Sequence, residues 1–156
     1  MGTVDPESRG VVLVVEDDQD LRALVRDLLE SQRYFVLEAD DGRDALYTLR
    51  LGEAPAVSLI VLDLAMPWMS GWELIDILRD DPRLSKIPVL VTSGLPVHGD
   101  ASGIGATMSC LRKPYGEEEL LAAVGQAIGP PPRGGRANAN VTERNARKPS
   151  SSHPDG

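Results

Sequence analysis

The feature that most constrains this chain is a five-residue run that ends in a carboxylate, Leu59-Ile60-Val61-Leu62-Asp63. A run this short, rich in branched apolar side chains and preceded by Pro55, reads as a strand buried on both faces. Such strands belong to parallel sheets covered by helices on each side. Asp63 then stands at the carboxyl edge of the sheet, where open α/β sheets bind their ligands. Alone, it would do no more than cap a turn or a helix. Its weight comes from the residues that other strands deliver to the same edge.

The first of these strands is Val11-Val12-Leu13-Val14-Val15, which runs into Glu16-Asp17-Asp18. Leu21, Leu24, Val25, Leu28 and Leu29 follow at helical spacing, with Asp17 or Asp18 placed as the cap. Tyr34 to Leu37 reads as a short strand, and Asp41-Gly42 opens a helix through Ala45, Leu46 and Leu49. After Asp63, Ser70-Gly71-Trp72-Glu73 has the spacing of a capping box. The helix it starts buries Leu74, Ile75 and Leu78 and stops before Pro82. Pro88 to Thr92 is the fourth strand and Met108 to Arg112 the fifth. Between them, Gly99, Gly103 and Gly105 work against the helix expected over Val97 to Gly105. Glu117 to Ile128 is the last helix, with three glutamates in its first turn. Strands alternating with helices in this way build a parallel α/β sheet, with right-handed crossovers that put helices on both faces.

Composition bounds the rest. The 156 residues suffice for one ordinary domain. We expect residues 10–128 to form it, after a disordered segment 1–9. A tail over 129–156, rich in Pro, Gly, Ser and Asn, cannot build a core. The single cysteine, Cys110, excludes an internal disulfide and a cysteine-built metal site. No stretch has the ~18 apolar residues of a membrane helix, and no secretory signal opens the chain. Asn140-Val141-Thr142 is therefore a chance match to the glycosylation triplet. The net charge of −8 divides into 11 basic and 22 acidic groups over residues 1–129 and five basic against two acidic beyond. An acidic globule with a basic tail is a poor nucleic-acid binder. A cytoplasmic protein touching neither nucleic acid nor membrane is expected.

Glu16 and Asp17 follow the first strand, Asp63 the third; Thr92 ends the fourth and Lys113 follows the fifth, so all reach one edge of a parallel sheet. Three carboxylates brought together repel one another unless a cation joins them. Hard oxygen ligands with room for water suit Mg2+. Adding an ammonium and a hydroxyl around one carboxylate makes a site fitted to receive a phosphoryl group, with the carboxylate as nucleophile.

The stretches Val14-Val15-Glu16-Asp17-Asp18, Leu62-Asp63 with Met66-Pro67 and Gly71, Val91-Thr92-Ser93, and Lys113-Pro114 stand in order. Through them, residues 10–128 resemble the receiver domains of two-component response regulators. The resemblance implies a flavodoxin-like, doubly wound (βα)5 sheet of strand order 2-1-3-4-5. It further implies that Asp63 is the phosphoacceptor, that Asp17 binds Mg2+ directly and Glu16 through water, and that the Ala65 carbonyl is a further ligand. Thr92 would bond the phosphoryl group, Lys113 would pair with it, and the Lys113-Pro114 bond would be cis. The phosphoryl donor would be a sensor histidine kinase or a histidine phosphotransfer protein, and output would pass through protein contacts to a target the sequence does not name. Of the two tryptophans, Trp72 is expected to pack on the sheet and Trp68 to sit on the exposed loop beside the site.

Two departures from the family stand out. The switch position three before the lysine, aromatic in many receivers, is Cys110, expected to be a small buried residue. The broken fourth helix belongs to the surface relatives use for output. Both features suit a second reading, a pseudo-receiver that docks without phosphorylation. A phosphohydrolase with an aspartyl intermediate would need a carboxylate two residues after Asp63, where Ala65 stands. Ala65 and Gly94, two residues past Asp63 and Thr92, cannot orient an attacking water through their side chains. Hydrolysis of an acyl phosphate here is thus expected to owe little to them, and Ala65→Asn combined with Gly94→Glu is expected to change the phosphoryl lifetime. An unaltered decay rate in the double variant would end that expectation.

Overall fold

In the computed structural model of the chain, residues 4–51, 55–97 and 108–129 are described. Each apolar run becomes a strand: Val11–Val15 (β1), Phe35–Ala39 (β2), Leu59–Asp63 (β3), Val89–Ser93 (β4) and Met108–Arg112 (β5). They pair in parallel in the order β2-β1-β3-β4-β5, the arrangement expected. Four helices are described: Gln19–Ser31 (α1), Gly42–Arg50 (α2), Gly71–Asp80 (α3) and Glu117–Ile128 (α4).

Because successive strand residues point to opposite faces, the three inner strands divide their side chains between two cores. Leu13, Val15, Ile60, Leu62 and Val91 meet Ala45 and Leu46 of α2 and Leu74, Ile75 and Leu78 of α3. Val12, Val14, Leu59, Val61 and Leu90 meet Val25 and Leu29 of α1 and Leu120 and Val124 of α4. The uninterrupted burial of β1, β3 and β4 is the two-sided packing that their continuous apolar pattern demands.

Local signals set the helix starts. Asp18 caps α1, accepting from the amides of Asp20 and Leu21; Asp41 caps α2 through the amide of Asp44; Ser70 caps α3 through that of Glu73. For α3 this serine contact is the capping bond in place. Gly71 is required for a different reason. A Cβ there would lie 2.8 Å from the Asp63 carbonyl oxygen and 2.8 Å from Leu64 Cα, so α3 begins in backbone contact with the end of β3.

Several expectations change. β2 runs from Phe35 to Ala39, not from Tyr34, because Tyr34 is spent on the turn, its amide donating to the Leu29 carbonyl at 3.1 Å. β4 begins after Pro88 and reaches Ser93. Residues 4–9 are not without contacts: the Arg9 amide donates to the Arg33 carbonyl at 2.9 Å, Glu7 pairs with Arg33, and Arg9 lies over the Tyr34 ring. Trp72 is 40% exposed rather than packed on the sheet. It falls roughly a third of a turn off the face formed by Leu74, Ile75 and Leu78. Cys110 is exposed rather than buried, on a strand that, among the described residues, pairs with β4 alone. The glycine-broken helix expected within 97–105 and the tail beyond residue 129 lie outside the described residues, apart from Val97 itself. At the amino edge of the sheet the residue before β1 lies near the end of α4: a Cβ on Gly10 would stand 3.8 Å from Ile128 Cδ1.

The contact at Gly71 is with backbone that has nowhere to retreat. Gly71→Ala is therefore expected to destabilise the protein by ~1–3 kcal/mol, read as a lowered urea midpoint. An unchanged midpoint would mean that α3 can slide away from β3 freely.

Candidate functional site

The register of the sheet assembles the site. Asp63 pairs with Thr92 across β3 and β4, Val15 lies beside Leu62, and Ser93 lies beside Arg112. Residues one step past these strand ends, Glu16 and Lys113, therefore reach Asp63 from either side. Carboxylate oxygens of Glu16, Asp17 and Asp63 all lie within 4.8 Å of one another. Glu16 and Asp63 are 5% and 4% exposed and Thr92 is 2% exposed, while Asp17 is open to solvent.

Lys113 bridges the two buried members of the trio. Its Nζ lies 3.2 Å from Glu16 Oε2 and 3.4 Å from Asp63 Oδ1. The Ala65 amide donates to the same Asp63 oxygen at 3.2 Å. Lys113 is placed by its own amide, which donates to the Ser93 carbonyl at 2.8 Å, and it precedes a cis peptide bond to Pro114. Beside it, the Ser93 hydroxyl accepts from the Leu95 amide and donates to its carbonyl, which fixes the start of the loop after β4.

Electrostatics follow from this packing. Burial, with the Asp63 carboxylate beside it, pushes Glu16 up from 4.5 to about 7 against the opposing pull of Lys113. Burial works against the charge on Lys113, but the neighbouring Glu16 and Asp63 outweigh it and hold its pKa above the usual value. Partial shielding on β5 moves the Cys110 thiol up, the opposite of what an activated thiolate needs. All three carboxylates are hard oxygen donors, and they converge where their mutual repulsion asks for a cation. The donor set thus fits a divalent ion such as Mg2+.

The loop after β3 frames the site. Met66 and Met69 turn into the core on the α2–α3 side, while Trp68 between them is 81% exposed. Trp68 has φ +70°, and the Met69 amide donates to the Pro67 carbonyl at 2.8 Å, which makes Pro67-Trp68-Met69 a γ-turn of the strained, positive-φ kind.

The structure brings together every residue singled out from the sequence for this site except Cys110, which stays on the edge strand. It adds two that the sequence did not offer. Tyr115, whose hydroxyl burial pushes up, lies close enough to feel the charges of Lys113, Glu16 and Asp63. Arg22 donates from Nη1 to the Glu16 carbonyl at 2.8 Å. The sequence shows of Arg22 only a cation early in a helix, where the dipole disfavours it, and nothing of what it binds.

Comparison with known proteins agrees with this geometry. The family profile of the response regulator receiver domain matches residues 12–125. The two-component response regulator ORR11 of Oryza sativa is 40% identical over 82 residues, 53% of this chain and 54% of that protein. Hybrid signal transduction histidine kinase D of Dictyostelium discoideum is 34% identical over 122 residues, 75% of this chain but 7% of that protein. The chain thus spans about half the length, or far less, of these curated relatives. Among solved structures, the chemotaxis protein CheY4 of Vibrio cholerae superposes with a TM-score of 0.67 at 28% identity, over 76% of this chain and 98% of that one. No helix among the described residues is long and apolar enough to cross a membrane.

The raised pKa of Glu16 sets a sign for stability. Its folded value of about 7 exceeds the ordinary 4.5, so its ionisation opposes folding at high pH, and protonation between about 7 and 4.5 relieves that opposition. In metal-free protein, Glu16→Gln is expected to be more stable than the parent near pH 8, and the advantage is expected to shrink toward about pH 5. Paired urea titrations at the two pH values measure it, and a difference independent of pH would set the burial argument aside.

Proposed function

The chain belongs to the response regulator receiver family, and from that premise we propose that it is a phosphorylation-dependent switch in a two-component phosphorelay, with Asp63 as phosphoacceptor. The observation that carries this reading is the convergence of Glu16, Asp17 and Asp63 with Lys113 on Asp63 Oδ1.

In the proposed step, Asp63 attacks the phosphorus of a phosphohistidine on a sensor kinase or a histidine phosphotransfer protein. The P–N bond breaks as the new P–O bond forms, and the imidazole leaves with the electron pair. Lys113 and the Ala65 amide both engage Oδ1, so Oδ2 is the oxygen assigned to the attack. Glu16, Asp17, Asp63 and the Ala65 carbonyl would hold Mg2+, which when bound neutralises charge on the transferring phosphoryl oxygens. Lys113, already held against Asp63 Oδ1, would contribute a further positive charge, and the Thr92 hydroxyl would donate to a phosphoryl oxygen on the product. These groups stabilise charge that develops during transfer, the kind of preorganised electrostatics that accelerates such reactions. The protein acts in this way only on itself. Its output, on this reading, passes by contact to a protein target.

The proposal is tested by incubating the protein with Mg2+ and acetyl phosphate and weighing it intact beside Asp63→Asn. One added phosphoryl group is expected on the parent and none on the variant or when Mg2+ is chelated. If the parent takes no phosphate and beryllofluoride leaves Trp68 fluorescence unchanged, the switch reading gives way to a docking module that needs no phosphorylation.

A further inference from the structure

We propose that Arg22 is a positioning residue for the acidic trio, acting as a clamp on the peptide that carries Glu16 and Asp17. The Glu16 backbone is held from two directions. Its amide donates to the Ala39 carbonyl at 3.1 Å, and its carbonyl accepts from Arg22 Nη1 at 2.8 Å. The same guanidinium uses Nε to reach Glu38 Oε1 at 3.3 Å, and Arg26 holds the second Glu38 oxygen at 3.2 Å. Glu38 and Ala39 are adjacent at the end of β2. That strand end therefore fixes Glu16 through one direct bond and one that passes through Arg22. Glu16 Oε1 in turn accepts from the Asp18 amide at 3.3 Å, which carries the order forward to the cap of α1.

Two local rules argue against a cation at this place. The start of a helix disfavours positive charge, and a guanidinium near a cation site repels the cation. Arg22 is nonetheless 17% exposed and bonded along two edges of its fork. A planar fork can serve a carbonyl and a carboxylate at once, which a single ammonium cannot. What Arg22 contributes is geometry, at an electrostatic disadvantage.

These opposed effects make the test one of sign. The effect on Mg2+ rests on the cation reading of the trio proposed above; the effect on loop order does not. Mg2+ binding is measured by calorimetry on the parent, Arg22→Met and Arg22→Lys, with circular dichroism to establish that all are folded. Exchange of the Glu16 and Asp18 amides is followed by NMR without metal. The clamp predicts Mg2+ binding weaker by about tenfold or more in both variants, and faster exchange at both amides. A residue acting only through its charge would give tighter binding in Arg22→Met and parent-like binding in Arg22→Lys, which overturns the proposal. Should the parent bind no Mg2+, the cation reading fails separately. The amides then decide, and exchange unchanged in both variants overturns the clamp.

Discussion

Repulsion among three carboxylates gathered within 4.8 Å is the constraint to which the rest of this structure answers. Two of them are almost wholly withdrawn from water, so the field between them is poorly screened. Nothing in local propensity would bring them together. The parallel register does, by ending β1 and β3 side by side, and the apolar filling of both sheet faces supplies the stabilisation that the cluster opposes. Lys113 relieves part of the repulsion, while burial first, and the Asp63 carboxylate second, still push the pKa of Glu16 up. A protein that keeps such tension at one sheet edge is poised to gain from whatever positive charge or charge-neutralising event arrives there.

The loops at that edge share a manner of construction. Those after β1 and β3 are both short, are pinned at both ends, and give up comfort at one residue. The loop after β3 is pinned by Met66 and Met69 and by the backbone contact at Gly71, and between these anchors the γ-turn forces Trp68 outward. The loop after β1 is pinned by Asp18 at the helix cap and by Arg22 at the Glu16 carbonyl. Rigidity near Asp63 is thus obtained from strained or electrostatically disfavoured residues that the surrounding packing over-determines.

What could be read from the sequence follows from the range of the interactions involved. β1 and β3 were legible because continuous apolar runs bounded by carboxylates admit few other readings, and the caps at Asp18, Asp41 and Ser70 act within three residues of themselves. That Glu16, Asp17, Asp63, Thr92 and Lys113 would meet at one sheet edge was legible through the order of their motifs. Arg22 was not, because its bond to the Glu16 carbonyl depends on the angle at which α1 leaves the strand. Trp72 and Cys110 were misread because aromatic or thiol character suggests burial, whereas helix phase and an edge position decided otherwise. Tyr34 was assigned to a strand on β-propensity, and the turn after α1 claimed it instead.

The closeness of Gly10 to Ile128 bears on how such a domain can be combined with others. Both ends of the described fold leave from the amino edge, on the far side of the sheet from Asp63. The acidic trio stands at the opposite edge, clear of both ends. A fold whose ends lie at one edge can be set between other segments, like a bulb in its socket, without the opposite edge being covered by the join.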